Sequence, residues 1–346
     1  MKFFLFVLLL FPISIFLKAG DITDVSDSSI KKNYFGIELS TGHTFFVPAW
    51  GYGGCGIYQS SSLQPDSHYN AIYENKDIFL FSLKILDFNE NTSDDDMILA
   101  GGYFSRCQCG VLLRRDNANG QWQEMFFDDI DNPFVSNIFS IATNAGEVGN
   151  DFTRVFLGCA NGVIYYSEDD AISLIKANIN AGNNVIKNIA FVDNRNGYAI
   201  AGKELDNVNQ LFVTTDSGGS WRLLKDFAGD YIAINNISVS GDTVLLFGSQ
   251  LTKGIILISQ DAGAAFEYIK FENSTKFPRS LISGGLIENR VLAVDEEGNI
   301  YASGSNIFEC HKLANGSKTA KFTDACFRDG LILISGYKGK IFKYEE

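Results

Sequence analysis

Two octapeptides hold the side chains whose spacing could do chemistry. Thr214–Trp221 reads TTDSGGSW and Ser259–Phe266 reads SQDAGAAF, so Thr214, Asp216, Gly218 and Trp221 recur 45 residues later as Ser259, Asp261, Gly263 and Phe266. A carboxylate between a hydroxyl and a glycine can act as an acid or a base, but this set suits a turn. Hydroxyl and carboxylate accept backbone amides, glycine takes positive φ without a Cβ clash, and the ring closes beneath. The flanking apolar runs, Leu211–Val213 and Trp221–Leu224, make the box the tip of a β-hairpin.

Cysteine and histidine chemistry is limited. Cys107-x-Cys109 lacks the two-residue spacer of a zinc knuckle, and His43, His68 and His311 are scattered, so neither a metal nor a cofactor is expected. The oxygen-rich stretch Asn89–Asp96 reads as a solvated acidic loop rather than a calcium site.

The elements that position these groups recur. From Tyr34 onward an apolar segment A is followed by a segment B ending in a small residue plus Gly, a segment C, a turn and a segment D. Examples of B are MILAG (Met97–Gly101), YAIAG (Tyr198–Gly202) and VLLFG (Val244–Gly248). Seven such units, at approximately 34–75, 76–129, 134–180, 184–228, 231–273, 279–315 and 319–346, predict an all-β, seven-bladed β-propeller of four-stranded antiparallel blades. The last unit lacks D. The segment 21–33, around Ile22–Ser28, is therefore predicted to add the outer strand of the last blade and close the ring.

On this frame Cys55, Cys107, Cys109 and Cys159 fall in the turns between B and C of the first three units. Equivalent turns of neighbouring blades lie side by side, so Cys55 is expected to bridge one of Cys107 and Cys109, and Cys159 the other. Cys310 and Cys326 form a third pair or stay buried thiols. The same turns, AWGYGGC and AGGYFSRCQC, lift Trp50, Tyr52, Tyr103 and Arg106 toward the face opposite the boxes. These groups either bind a ligand there or pack between blades.

With 41 acidic against 28 basic residues the net charge is −13, which disfavours nucleic acid and anionic lipid as partners. Residues 1–20 pair Lys2 with the apolar run Phe3–Leu17 and the small residues Ala19 and Gly20. As a helix that run is roughly 22 Å long, short of a ~30 Å hydrocarbon core. It reads as a signal peptide for export to the periplasm or the outside, with no stable membrane insertion.

The spacing Ser/Thr-x-Asp-x-Gly-x-x-Trp/Phe resembles the Asp-box (BNR) repeat of β-propellers. Across units 2 to 6 the chain is most similar to the photosystem II assembly-factor-like (Ycf48-like) group, which is exported and non-enzymatic; sortilin-type propellers and sialidases share the box. The resemblance implies structural boxes, on the turn between the third and fourth strands, and no catalytic residues. A sialidase would need an arginine cluster and a Phe/Tyr-Arg-Ile-Pro motif near its start, and Phe277-Pro278-Arg279 is only a scrambled echo. The photosynthetic members use a basic patch that this acidic chain does not show, so their partner is not carried over. The leading expectation is a protein- or peptide-binding scaffold; the alternative is a carbohydrate-active or glycan-binding propeller.

Overall fold

The computed structural model describes residues 22–40, 44–51, 54–65, 67–86, 96–107, 109–116, 120–126, 137–144, 154–203, 209–272, 277–328 and 330–345. Tyr52, His43, most of the acidic loop and the signal segment lie outside them.

Among the described residues the strands form seven sheets, one per repeat, and blades 2 to 5 run antiparallel in chain order from an inner strand A to an outer strand D. In blade 4 these are Val185–Phe191, Gly197–Gly202, Asn209–Thr214 and Arg222–Asp226. The B strands are buried throughout their centres, for example Met97–Phe104 in blade 2, because neighbouring blades cover both faces. That is why they read as continuous apolar runs rather than alternating ones.

The core is correspondingly distributed. Among the described residues seven apolar clusters occur, each between two successive blades, such as Phe156, Ile186, Phe212 and Trp221 between blades 3 and 4. The cluster that joins blade 7 to blade 1 combines Tyr34, Ile37 and Val47 with Leu331, Leu333 and Ile341. The ring is closed as the repeat predicted: Thr23–Asp24 pairs antiparallel with Ile341–Glu345, Thr23 opposite Lys343 and Asp24 opposite Phe342. In blade 6 a fifth strand, Lys270–Phe271, lies parallel to the outer strand Glu309–Ala314 and covers its edge.

One irregularity repeats. The A strands of blades 2 to 7 each carry a register shift near their start, skipping Phe81, Phe139, Lys187, Asn235, Ile282 and Thr323. The next residue is always polar: Ser82, Ser140, Asn188, Asn236, Ser283 and Asp324. Beside the bulge, the A backbone of blades 2 and 5 lies so close to strand B that only glycine fits there. A Cβ on Gly102 would stand 2.0 Å from the Phe79 carbonyl oxygen, and one on Gly248 1.9 Å from that of Ala233.

Blade 1 differs. Its inner strand is split into Asn33–Tyr34 and Glu38–Leu39, with Gly36 in the gap. Blade 7 bonds the backbone there: Thr323 Oγ1 donates to Tyr34 O (2.7 Å), Ser335 Oγ to Gly36 O (3.2 Å) and Arg328 Nη1 to Leu39 O (2.9 Å). Asp324 Oδ2 accepts the Ile37 amide. Four side chains of blade 7 thus bond the backbone of the split strand and its gap.

Candidate binding face

The two predicted boxes lie on the turns between strands C and D. Thr214 Oγ1 donates to Asp216 Oδ1 (2.8 Å) and accepts the Gly218 amide (3.0 Å), while Asp216 takes the amide and hydroxyl of Ser220 at 2.9 and 2.6 Å. Trp221 Nε1 donates to Gly218 O at 2.9 Å, and its ring meets Phe191 and Phe156 edge-on. In the second box Ser259 Oγ donates to Asp261 Oδ1 (2.6 Å) and accepts the Gly263 amide (2.8 Å), with Phe266 packed against Phe227. Burial alone would raise the Asp216 carboxyl, but hydrogen bonds from Ser220 and Thr214 outweigh it, and Asp261 is lowered chiefly by Ser259. Oxygens so engaged organise a turn and have little capacity left for proton transfer.

A third box is present in geometry. Ser167 and Asp169 repeat the bonds of the other two, with Ala171 at the glycine position and a φ of 67°. Hydrogen bonds from Ser173 and then Ser167 hold Asp169 at about 2. Asp116 in blade 2, which occupies the corresponding sequence position, instead pairs with Arg114 Nε.

The opposite ends of the blades carry the turns between B and C. There five aromatic rings follow one another across blades 7, 1 and 2. Tyr337 meets Phe35 at a centroid distance of 6.3 Å, Phe35 meets Trp50 at 6.1 Å, Trp50 meets Phe79 at 5.2 Å, and Phe79 meets Tyr103 at 6.0 Å. Phe35, Trp50, Phe79 and Tyr103 are half-buried and Tyr337 is 41 % exposed. Each ring therefore packs on its neighbours with one part and meets water with the rest, which bears out the packing of Trp50 and Tyr103 between blades.

Arg106 is not a free cation on this face. Its Nη2 lies 2.5 Å from Asp77 Oδ2, and Ser105 bonds the Asp77 carbonyl through both its amide and its hydroxyl at 2.9 Å. On the other flank Lys32 Nζ sits 3.2 Å from Glu74 and 5.4 Å over the Tyr58 ring. The strip is an apolar row with charged borders. Phe35, Phe79 and Tyr337 were not singled out in the sequence; Phe35 precedes the gap glycine and Tyr337 heads a tight turn, GYKG.

The expected disulfide pattern is corrected. Cys107 bonds Cys109, two residues away, with a Cα–Cα distance of 5.2 Å, and Cys55, Cys159, Cys310 and Cys326 are free thiols. Cys55 is buried in the cluster between blades 1 and 2, where burial pushes its thiol up to about 12. Cys310 and Cys326 do not pair either, since one packs between blades 5 and 6 and the other between blades 7 and 1.

No group of three His, Cys, Asp or Glu side chains suited to a metal occurs among the described residues. Several arginines serve as joints between elements. Arg154 Nε and Nη1 bond Glu168 and the Ser217 carbonyl at 2.9 and 2.6 Å, tying blade 3 to the box of blade 4.

No protein-family model matches the sequence, and no curated protein matches it. Solved structures do match in fold. Virginiamycin B lyase from Staphylococcus aureus, in a catalytically inactive form with quinupristin, aligns with a TM-score of 0.69 at 14% identity, over 94% of this chain and 99% of that one. YCF48 bound to D1 peptide aligns with a TM-score of 0.62 at 12% identity, over 96% and 98%. The GH74 enzyme of Niastella koreensis gives 0.61 at 12%, over 90% of this chain and 51% of its own length. At these identities the likeness is one of fold, shared by a lyase, a GH74 enzyme and a peptide-bound protein.

Proposed function

We propose that this chain is an exported, non-enzymatic propeller, Ycf48-like in character, that binds a protein or peptide along the strip formed by Tyr337, Phe35, Trp50, Phe79 and Tyr103. The observation that carries this reading is the unbroken row of half-exposed rings. Aromatic groups already held by their neighbours offer contact area at little conformational cost, and they recur where proteins bind proteins. The similar fold of YCF48, solved with a peptide, supports a peptide as ligand. The boxes organise the opposite face and take no part.

The test is a comparison of two readouts on the folded protein: capture of peptides from a random displayed library, and binding to a glycan array. Selected peptides that bind wild-type protein but not Trp50→Ala or Tyr337→Ala support the reading. Glycan binding or turnover that these substitutions leave intact would replace it with the carbohydrate alternative. Export is tested separately, by locating the mature protein outside the cytoplasm with a start near residue 20.

A further inference from the structure

Cys109 begins strand C of blade 2 and pairs across the hairpin with Phe104, one residue past Tyr103 of the aromatic strip. Its disulfide partner Cys107 is exposed on the intervening turn, whereas Cys109 is 3% exposed. A bond between residues two apart closes a minimal loop, across a hairpin that backbone pairing already holds, so it restricts the unfolded chain least of all possible bridges. A disulfide that adds so little as a staple while presenting one sulfur to solvent belongs to the labile class. The other four cysteines are in no position to compete: burial pushes Cys55 and Cys310 up to about 12, and Cys159 and Cys326 still higher.

We infer that Cys107–Cys109 is a thiol-exchange site that captures a cysteine-bearing ligand beside the aromatic strip. The ligand thiolate attacks the accessible Cys107 sulfur. A new sulfur–sulfur bond forms to Cys107 as the bond to Cys109 breaks, the electron pair passes to Cys109, and Cys109 takes a proton from water. One disulfide is exchanged for another, and neither oxidant nor reductant is consumed. The mixed disulfide then sits on the exposed sulfur, with Cys109 left as a buried thiol in its paired strand. The reaction needs only a thiol, so it stands or falls separately from peptide recognition by the strip.

The probe is reduced glutathione, added to the intact folded chain without denaturant, followed by acid quenching and peptide mass spectrometry. The expected result is loss of the Cys107–Cys109 bond with one glutathione on Cys107 and a free thiol at Cys109. The variant Cys109→Ser, treated with glutathione disulfide, gives the same adduct on Cys107. The inference is overturned if the bond in wild-type protein opens only at denaturant concentrations that unfold the chain, or if glutathione settles on Cys109 or on any of the other four cysteines.

Discussion

Asp324, on the inner strand of blade 7, accepts the amide of Ile37 from blade 1 at 3.3 Å. This bond crosses the seam at which the ring closes. Burial drives the Asp324 carboxyl up to about 7; the Ala325 amide opposes the shift, nearby Glu38 reinforces it, and the Ile37 amide and Lys84 oppose it. An unfolded aspartate titrates near 3.9. Between these values the folded chain holds the extra proton, so this group's contribution to stability falls as pH rises from about 4 to about 7. Urea unfolding measured across that range should show the decline. Asp324→Asn should lose the slope, whatever its own stability.

Asp27 works in the opposite sense. Burial would raise it, but hydrogen bonds from Ser29, Tyr69 and His68 prevail and hold it at about 2. Its contribution is present above about pH 4 and is lost as pH falls toward 2. The carboxylate is 4% exposed and takes the amides of Ser29 and Tyr69 at 2.8 and 2.9 Å, fastening the closing segment to blade 1. Asp27→Ala strands two amides, and a loss of roughly 2–4 kcal/mol is expected by chemical denaturation.

Gly218 separates turn geometry from box composition. Its φ is 77°, and a Cβ there would stand 2.2 Å from Phe156 Cε1, whereas at Gly219 the nearest atom is 3.5 Å away. Gly218→Ala should cost on the order of 2–4 kcal/mol through backbone strain and overpacking between blades 3 and 4. Gly219→Ala should leave the thermal midpoint close to wild type.

The strip predicts a division between affinity and stability. Tyr337 is the most exposed of its rings, so Tyr337→Ala should change stability by no more than about 0.5 kcal/mol while weakening a selected peptide by about tenfold or more. Trp50→Ala should do both, because Trp50 also packs between Phe35 and Phe79. Calorimetry of binding and of unfolding on the same samples checks the pair.

Much of the architecture was legible because local and tertiary demands coincide. Thr214, Asp216, Gly218 and Trp221 are read easily since each satisfies its neighbour within eight residues. The box at Ser167 was harder: Ala171 stands where glycine belongs, yet the hydroxyl and carboxylate hold the turn without it. Closure by the segment near Ile22 followed from counting strands. The bulge in the inner strands of blades 2 to 7 leaves only a faint trace, an apolar residue, a variable one and a polar one, as in Leu80–Ser82 and Phe322–Asp324. The cysteine pattern misled because equivalent turns on adjacent blades are neighbours only approximately, and a sulfur two residues away is nearer. The strip was half visible: Trp50 and Tyr103 stand beside glycines at the ends of B strands rather than in the turns expected for them, whereas Phe79 is hidden in an apolar run, where sequence cannot separate a surface ring from a core one.

The pairing of Thr23 with Lys343 also sets an order of events during synthesis. Blades 2 to 6 can assemble as their own residues emerge, but the outermost strand of blade 7 waits until residues 341–345 are made. Until then the earliest segment has no place to dock, and the nascent ring remains an open crescent with both ends unprotected.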